Sequence, residues 1–406
     1  MRKPLCMLAA WTALIAAPCA HAADAAPADA LSLTSISAGA WMVKLPKAYE
    51  EAWAAYQVFD ERPETGWSSA EGETTNQVFV LELAEKAQLD RLVFDTGHAD
   101  EASRSAKDIR VEISDKGADS GYAVLAEISL KPKADNQSFA LKNAAAGRWL
   151  RLTIRSNHGA ADVTELMDFR AYGTPLTKTP SPAIAGTYGT NYNDFHLLQQ
   201  GPALSGCYEL NEGVMTGGME GRIMKITWRE HDQKGTAALV VSPDAKEFFG
   251  FWWNEGQEKQ AAGIWQGKLK SSKVGGCPHW AGGAQQQLAR DLAKYGRIVV
   301  YGINFDTGLA SLKDESRPVL DGIATLLKEN PAQKLTIEGH TDAVGSAGKN
   351  KPLSQARADS VKAYLVKSGV AEARLKTLGL GSDKPVATND TPIGRAQNRR
   401  VELVKQ

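Results

Sequence analysis

The residue whose position most demands an explanation is Arg357. The stretch 350–368 carries Leu353, Val361, Tyr364 and Leu365 at helical spacing, and Arg357 falls one turn after Leu353 and one before Val361. A guanidinium in the middle of an apolar stripe must find an anion or open water. Just upstream, Gly339-His340-Thr341-Asp342-Ala343-Val344-Gly345-Ser346 reads as a loop leaving a strand, and it offers Asp342. Two chemistries fit. The charges neutralise one another as an internal salt bridge, or each meets the opposite charge of a zwitterionic ligand, Asp342 an ammonium and Arg357 a carboxylate.

Cysteine supplies the other reactive chemistry. Met1-Arg2-Lys3 precedes an apolar stretch over 4–17, and Pro18-Cys19-Ala20-His21-Ala22 ends in a small-x-small pattern, which reads as a signal peptide at 1–22. A lipoprotein signal at Cys19 is the rival, but Pro18 stands where a small residue is needed. Cleavage at Ala22 removes Cys6 and Cys19 and leaves Cys207 and Cys277. In an oxidising compartment such a pair most simply forms one disulfide; a reactive thiol is the alternative, with no histidine and asparagine set to support it. The 47 basic and 47 acidic residues become a net charge of −2 once Arg2 and Lys3 are gone. No basic field covers the molecule, so nucleic acid is not an expected partner. After the leader no segment approaches the roughly 18 apolar residues of a transmembrane helix, so none is expected. The chain has no H-E-x-x-H, G-x-S-x-G or G-x-x-x-x-G-K-[ST], and its six remaining histidines are scattered, so no enzyme is expected.

The elements that position these residues divide a 406-residue chain into several domains. A small, polar, flexible start is expected at 23–34. Over 35–174, strand-like runs at 78–83, 89–94, 109–113, 149–154 and 168–172 alternate with turn signals and point to an antiparallel sandwich. The proline-rich 175–182 reads as a linker. Over 183–281, aromatic-glycine clusters and strands at 222–228 and 236–242 suggest an antiparallel meander or small barrel, stapled by Cys207 and Cys277. Trp252 and Trp253 point to opposite faces there, which leaves one to be exposed. A linker and short helix fill 282–295. From 296 to 406 strands and helices alternate: strands at 298–305, 334–338 and 374–380, helices at 314–329 and 350–368, and a last helix-to-strand passage at 395–404.

Four motifs in this last part fall in order: Ile303-Asn304-Phe305-Asp306; Glu338 to Ser346; Asn350 with Leu353-Ser354-Gln355-Ala356-Arg357-Ala358; and Gly394-Arg395-Ala396-Gln397-Asn398-Arg399-Arg400-Val401-Glu402. Together they resemble the OmpA-like C-terminal domain. The resemblance implies non-covalent binding of peptidoglycan, chiefly the diaminopimelate of the stem peptide. By position Asp342 would accept from the ligand's ammonium, Arg357 would grip its carboxylate, and Asn350 would make polar contacts at the rim. Gly308 and Val344 depart from polar residues common in the family. Arg395, Arg399 and Arg400 read as structural, and His340 as a satisfied partner of the loop backbone.

Nearer the N-terminus, Phe59-Asp60-Glu61-Arg62-Pro63-Glu64-Thr65-Gly66-Trp67 and Glu165-Leu166-Met167-Asp168-Phe169-Arg170-Ala171-Tyr172-Gly173 resemble the opening and closing of discoidin, or factor 5/8 type C, domains. That implies a galactose-binding-like jelly-roll whose loops often bind sugars or lipids, with a structural calcium held by Asp60, Thr65 and Glu165. Glu61 replaces the usual glycine, and the plainer alternative is a turn capped by Asp60 with Trp67 in the core. No other cofactor is expected. The fold class is therefore multidomain: an N-terminal all-β jelly-roll sandwich, a middle antiparallel β module and a C-terminal α+β OmpA-like domain. The expected function is peptidoglycan binding in the periplasm or outer-membrane-associated envelope of a Gram-negative bacterium, with N-terminal domains that engage carbohydrate. A structural protein whose N-terminal domain meets another envelope protein is the alternative, and a cell-wall hydrolase a remote one.

Overall fold

The structure, a computed structural model, describes residues 31–406 apart from 143–144, 232, 258–260 and 307. The expected signal peptide lies outside the described residues. Among those residues no helix is long and apolar enough to cross a membrane.

The first domain contains β1 (Trp41–Lys44), β2 (Trp67–Ser68), β3 (Gln77–Asp95), β4 (Asp108–Ser114), β5 (Ala123–Ser129), β6 (Gln137–Ala140), β7 (Ala146–Ile154), β8 (Glu165–Leu166) and β9 (Asp168–Pro175). Seven of them form one antiparallel sheet, and β2 pairs with β8 across from it. The runs 78–83 and 89–94 are one bent strand. β3 pairs β7 through its first half and β6 and β9 through its second, with register shifts between Glu82 and Ala87 and between Leu89 and Arg91 where it changes partners. Trp67 meets Phe79 edge-on at 5.1 Å and Phe94 stacks on Phe169 at 4.8 Å, which builds the core between the layers.

The flexible start expected at 23–34 is corrected for its last residues. Ser32 and Thr34 are buried, Leu33 N donates to Ala171 O at 2.8 Å, and Thr34 Oγ1 donates to Phe169 O at 3.0 Å. The hydroxyls and amides of this polar stretch satisfy backbone groups along β9, a use that composition does not reveal. The linker is likewise tied down, with Thr179 N donating to Glu85 at 2.6 Å.

In the middle module, β10 (Gly186–Thr190), β11 (Asp194–Gln200), β12 (Ala203–Tyr208), β13 (Gly213–Glu220), β14 (Ile223–Glu230), β15 (Gln233–Val241), β16 (Glu247–Asn254) and β17 (Gly263–Ser271) form a closed barrel. Its interior is filled by aromatic side chains, with Phe195 edge-on to Trp265 at 5.1 Å. Gly235 is required by close approach: a Cβ there would lie 1.9 Å from Trp253 O and 2.6 Å from the Trp228 ring. Trp252 and Trp253 do face opposite ways, yet neither stands free. Trp252 stacks on Trp265 at 5.8 Å, and Trp253 is 2% exposed because the first domain covers that outer face. Cys207 and Cys277, 70 residues apart, form the disulfide that ties β12 to the segment after β17.

The C-terminal part contains α1 (Ala284–Tyr295), β18 (Arg297–Val300), α2 (Arg317–Glu329), β19 (Leu335–His340), α3 (Ala347–Lys367), β20 (Leu375–Gly381), α4 (Pro392–Asn398) and β21 (Val401–Lys405). The sheet order is β18-β21-β19-β20, with only β19 and β20 parallel, as a crossover through α3 demands. The strand expected at 298–305 stops at Val300, because Gly302 takes φ +84° and turns the chain.

The face of this sheet turned away from the helical core is closed by charge. Arg297 pairs with Glu338 at 2.6 Å and also with Glu402, which Arg400 Nε bonds at 2.8 Å. His340 lies among them with no exposed side-chain surface, its Nε2 3.5 Å from Glu402 Oε1. Neither ring nitrogen has a hydrogen-bond partner among the described residues, which corrects the expected bond to the loop backbone. Burial, and then Arg400, push its pKa down to about 3, so the ring is neutral.

Two outcomes follow. Replacing Cys207 and Cys277 by serine should lower stability by about 4 kcal/mol, the loop-closure contribution expected for so long a loop; the native protein should show no free thiol, and unlinked cysteines in a non-reducing peptide map would refute the bond. For His340 the unfolded chain takes up a proton below about pH 6.5 that the folded state refuses, so its stabilisation is full above that value and is lost as pH falls toward about 3. In urea unfolding at pH 7 and 5, His340→Gln should lose less stability on acidification than the wild type, and equal losses would mean that the ring titrates freely.

Candidate functional site

The loop 341–346 is fixed from three sides. Thr341 N donates to Gly381 O at 2.9 Å, Ala343 N donates to Asn389 Oδ1 at 2.9 Å, and Val344 N donates to Asp342 Oδ1 at 3.1 Å. Asn350, on the first turn of α3, donates to Asp342 O at 3.1 Å and to Val344 O at 2.9 Å. Its buried amide braces the loop, which gives Asn350 a positioning role beside the rim contact expected of it.

Asp342 does not pair with Arg357. Its Oδ2 accepts from Arg399 Nη1 at 2.7 Å, and the Asp342 side chain keeps 13% of its surface exposed. Arg399, expected to be structural, pairs with Asp342 and lines the cavity beside Arg357, while its neighbour Arg400 turns inward to Glu402. Arg357 is 8% exposed. It donates through Nε to Leu309 O at 3.0 Å and lies over the Phe305 ring at 5.0 Å. Among the described residues no carboxylate reaches it within ion-pair distance. Burial, and then Arg399, lower its pKa, while Asp342 and Glu220 act in the opposite sense. The guanidinium thus has its flat face and one edge satisfied by apolar and backbone groups and retains its charge. Asp342 thus acts on Arg357 through its field without pairing with it, and Arg399, which holds Asp342, lines a small cavity together with Arg357.

The three residues expected to hold calcium are not brought together as a set. Thr65 Oγ1 donates to Asp60 Oδ2 at 2.9 Å and Arg62 N to Asp60 Oδ1 at 2.9 Å, so Asp60 caps its own turn with Trp67 buried behind it. Burial pushes Asp60 and Glu61 up to about 7. Glu165 instead accepts from Asp100 N at 2.7 Å, and its charged neighbours are Asp100, Arg104 and Asp162. Calcium needs about six converging oxygens, whereas Asp60 and Glu165 each accept hydrogen bonds from protein groups. A second acid-rich set, Glu338, His340 and Glu402, has ligand atoms within 4.8 Å of one another, but Arg297 and Arg400 already supply its carboxylates with cations.

Comparison with known proteins agrees with the cleft's motifs. Residues 304–399 match the model described as the OmpA family, and residues 54–175 match one described as Sad1 / UNC-like C-terminal. The probable lipoprotein YiaD of Escherichia coli (strain K12) is 45% identical over 101 residues, 25% of this chain and 46% of that protein. The peptidoglycan-binding protein ArfA of Mycobacterium tuberculosis (strain ATCC 25618 / H37Rv) is 49% identical over 102 residues, 25% of this chain and 31% of that protein. The chain spans less than half the length of these relatives. Among solved structures, the family 32 carbohydrate-binding module from Streptococcus pneumoniae EndoD is 17% identical, covers 36% of this chain and all of that one, and has a TM-score of 0.30, too low to argue from. What the matches do establish is local: behind a β-sandwich and a closed β-barrel, the chain carries an OmpA-family domain at residues 304–399.

Proposed function

We propose that this is an exported envelope protein that binds peptidoglycan non-covalently through residues 296–406, taking the diaminopimelate of the stem peptide, and that it is a binding protein and not an enzyme. The observation that carries the reading is the state of Arg357: nearly buried, charged, and without a carboxylate partner among the described residues. A ligand carboxylate supplies the missing anion in a two-pronged contact, and the ligand's ammonium is received by Asp342. The name of ArfA and the family match at 304–399 support the same ligand class. The barrel and sandwich are carried to the wall by this domain.

The test separates folding from binding. Asp342→Asn frees an Arg399 that is 38% exposed, so it should cost about 1 kcal/mol of stability or less. Arg357→Met keeps an apolar stem over Phe305. Each variant should melt near the wild type, yet lose co-sedimentation with purified sacculi, because an unpaired ligand charge costs roughly 2–5 kcal/mol. A wall whose stem peptide carries lysine in place of diaminopimelate lacks the second carboxylate. It should bind the wild type as poorly as diaminopimelate sacculi bind Arg357→Met. Folded variants that sediment like the wild type would show that the wall is held elsewhere.

A further inference from the structure

Strand β13 is seated on the C-terminal domain by backbone. A Cβ on Gly218 would lie 2.5 Å from Gly302 N, so only glycine permits the approach, and Asn304 Nδ2 donates to Met219 O at 3.3 Å. The next residue along the strand is Glu220. The seat carries it to the wall of a cavity of about 50 Å³ that it shares with Phe305, Arg357 and Arg399. A barrel residue therefore completes a cavity otherwise lined by the C-terminal domain.

Glu220 is held back from the arginines by its own partner. Lys225, on the neighbouring strand β14 and 6% exposed at its side chain, forms an ion pair with it. Lys225 first, then Arg399 and Lys313, hold the Glu220 carboxyl down to about 2, so it is ionised at any ordinary pH. Around Arg357 the nearby anions are Asp342, engaged by Arg399, and Glu220, engaged by Lys225. Among the described residues neither anion is within ion-pair distance of the Arg357 guanidinium.

We propose that Glu220 is a specificity-setting residue of the wall-binding cleft, a carboxylate built into the barrel that competes with the ligand's carboxylate for Arg357 and Arg399, with Lys225 setting how strongly it competes. This rests on the reading of the cleft given above. An anion fixed across the cavity reduces the attraction that an incoming anion feels. It also favours a ligand that brings an ammonium together with its carboxylate over one that brings a carboxylate alone. Lys225 screens Glu220. Without the lysine, the carboxylate has only the arginines of the cavity and Lys313 to turn to.

The experiment uses the full mature chain and quantitative co-sedimentation with diaminopimelate-containing sacculi, for Glu220→Gln, Lys225→Met, the double variant, and Arg357→Met as reference. Glu220→Gln should bind about fivefold more tightly than the wild type, the lower end of ordinary coupling between sites. Lys225→Met should bind more weakly by a similar factor, and the double variant should recover at least wild-type binding. Since Glu220→Gln leaves Lys225 buried without its anion, the double variant, which removes both charges, decides the matter if the single one fails to fold. Binding by Lys225→Met and by the double variant that equals the wild type, while Arg357→Met loses the wall, overturns the competition and leaves the cleft reading standing. Wild-type binding by Arg357→Met overturns both.

Discussion

A closed ring of strands has no free edge, so the barrel can meet its neighbours only through the outward side chains and backbone of its strands. The rest of the molecule is arranged around that constraint. On β14, Met224, Ile226 and Trp228 fill the interior, while Ile223 points out and joins the core of the sandwich together with Ala238, Val240, Phe249 and Trp253. Tyr56 of the first domain lies 5.0 Å from Phe249, and Ala387 and Ile393 of the C-terminal domain reach the same cluster. Arg222 and Glu82 pair at 2.7 Å across the junction, with Arg222 only 4% exposed. A buried pair of this kind adds little net stability over apolar contacts, but breaking it is costly, so it disfavours other dockings of the two domains. Close packing on one flank and the Gly218–Gly302 contact on another turn three sequence segments into a single packed body.

That arrangement explains what the sequence could and could not convey. β7 was legible because one face is half-exposed, so Leu150, Leu152 and Ile154 alternate with arginines and threonine. β15 is buried along most of its length on both faces, inside by the barrel and outside by the sandwich, and its alternation disappears. The bend in β3 was unreadable because its cause is a change of partner strand, which no local pattern records. In the cleft, Arg357 announced itself as a charge in an apolar stripe, and Asp342 and Asn350 by motif. The motif gave positions but not tasks. Asn350 spends its amide on the loop, and Glu165 turns to Asp100 because the isolated bridge between Ser105 and Glu165 draws that segment alongside it. Arg399 could not be told from Arg400, since which of two adjacent arginines turns inward depends on the sheet they flank. Glu220 had no signal at all, because its place depends on how the barrel docks.

The choice of arginine at 357 follows from its burial. A lysine there would begin from a lower pKa, lack a planar face for Phe305, and tend to surrender its proton in so enclosed a place. Arginine stays charged even with its pKa pulled below the usual value. The Phe305 ring, Leu309 O and the fields of Asp342 and Glu220 offset part of the desolvation while the chain folds. The cost of placing a cation in a dry cleft is therefore met before a ligand arrives. The loop that holds Asp342 is likewise fixed in advance by Asn350, Asn389 and the Gly381 carbonyl. On the function proposed above, recognition needs little ordering of protein groups, and the binding free energy comes mainly from joining two preset charges to a zwitterion. On that proposal a singly charged ligand would satisfy one of them and a neutral ligand neither, which is how so small a cleft would discriminate.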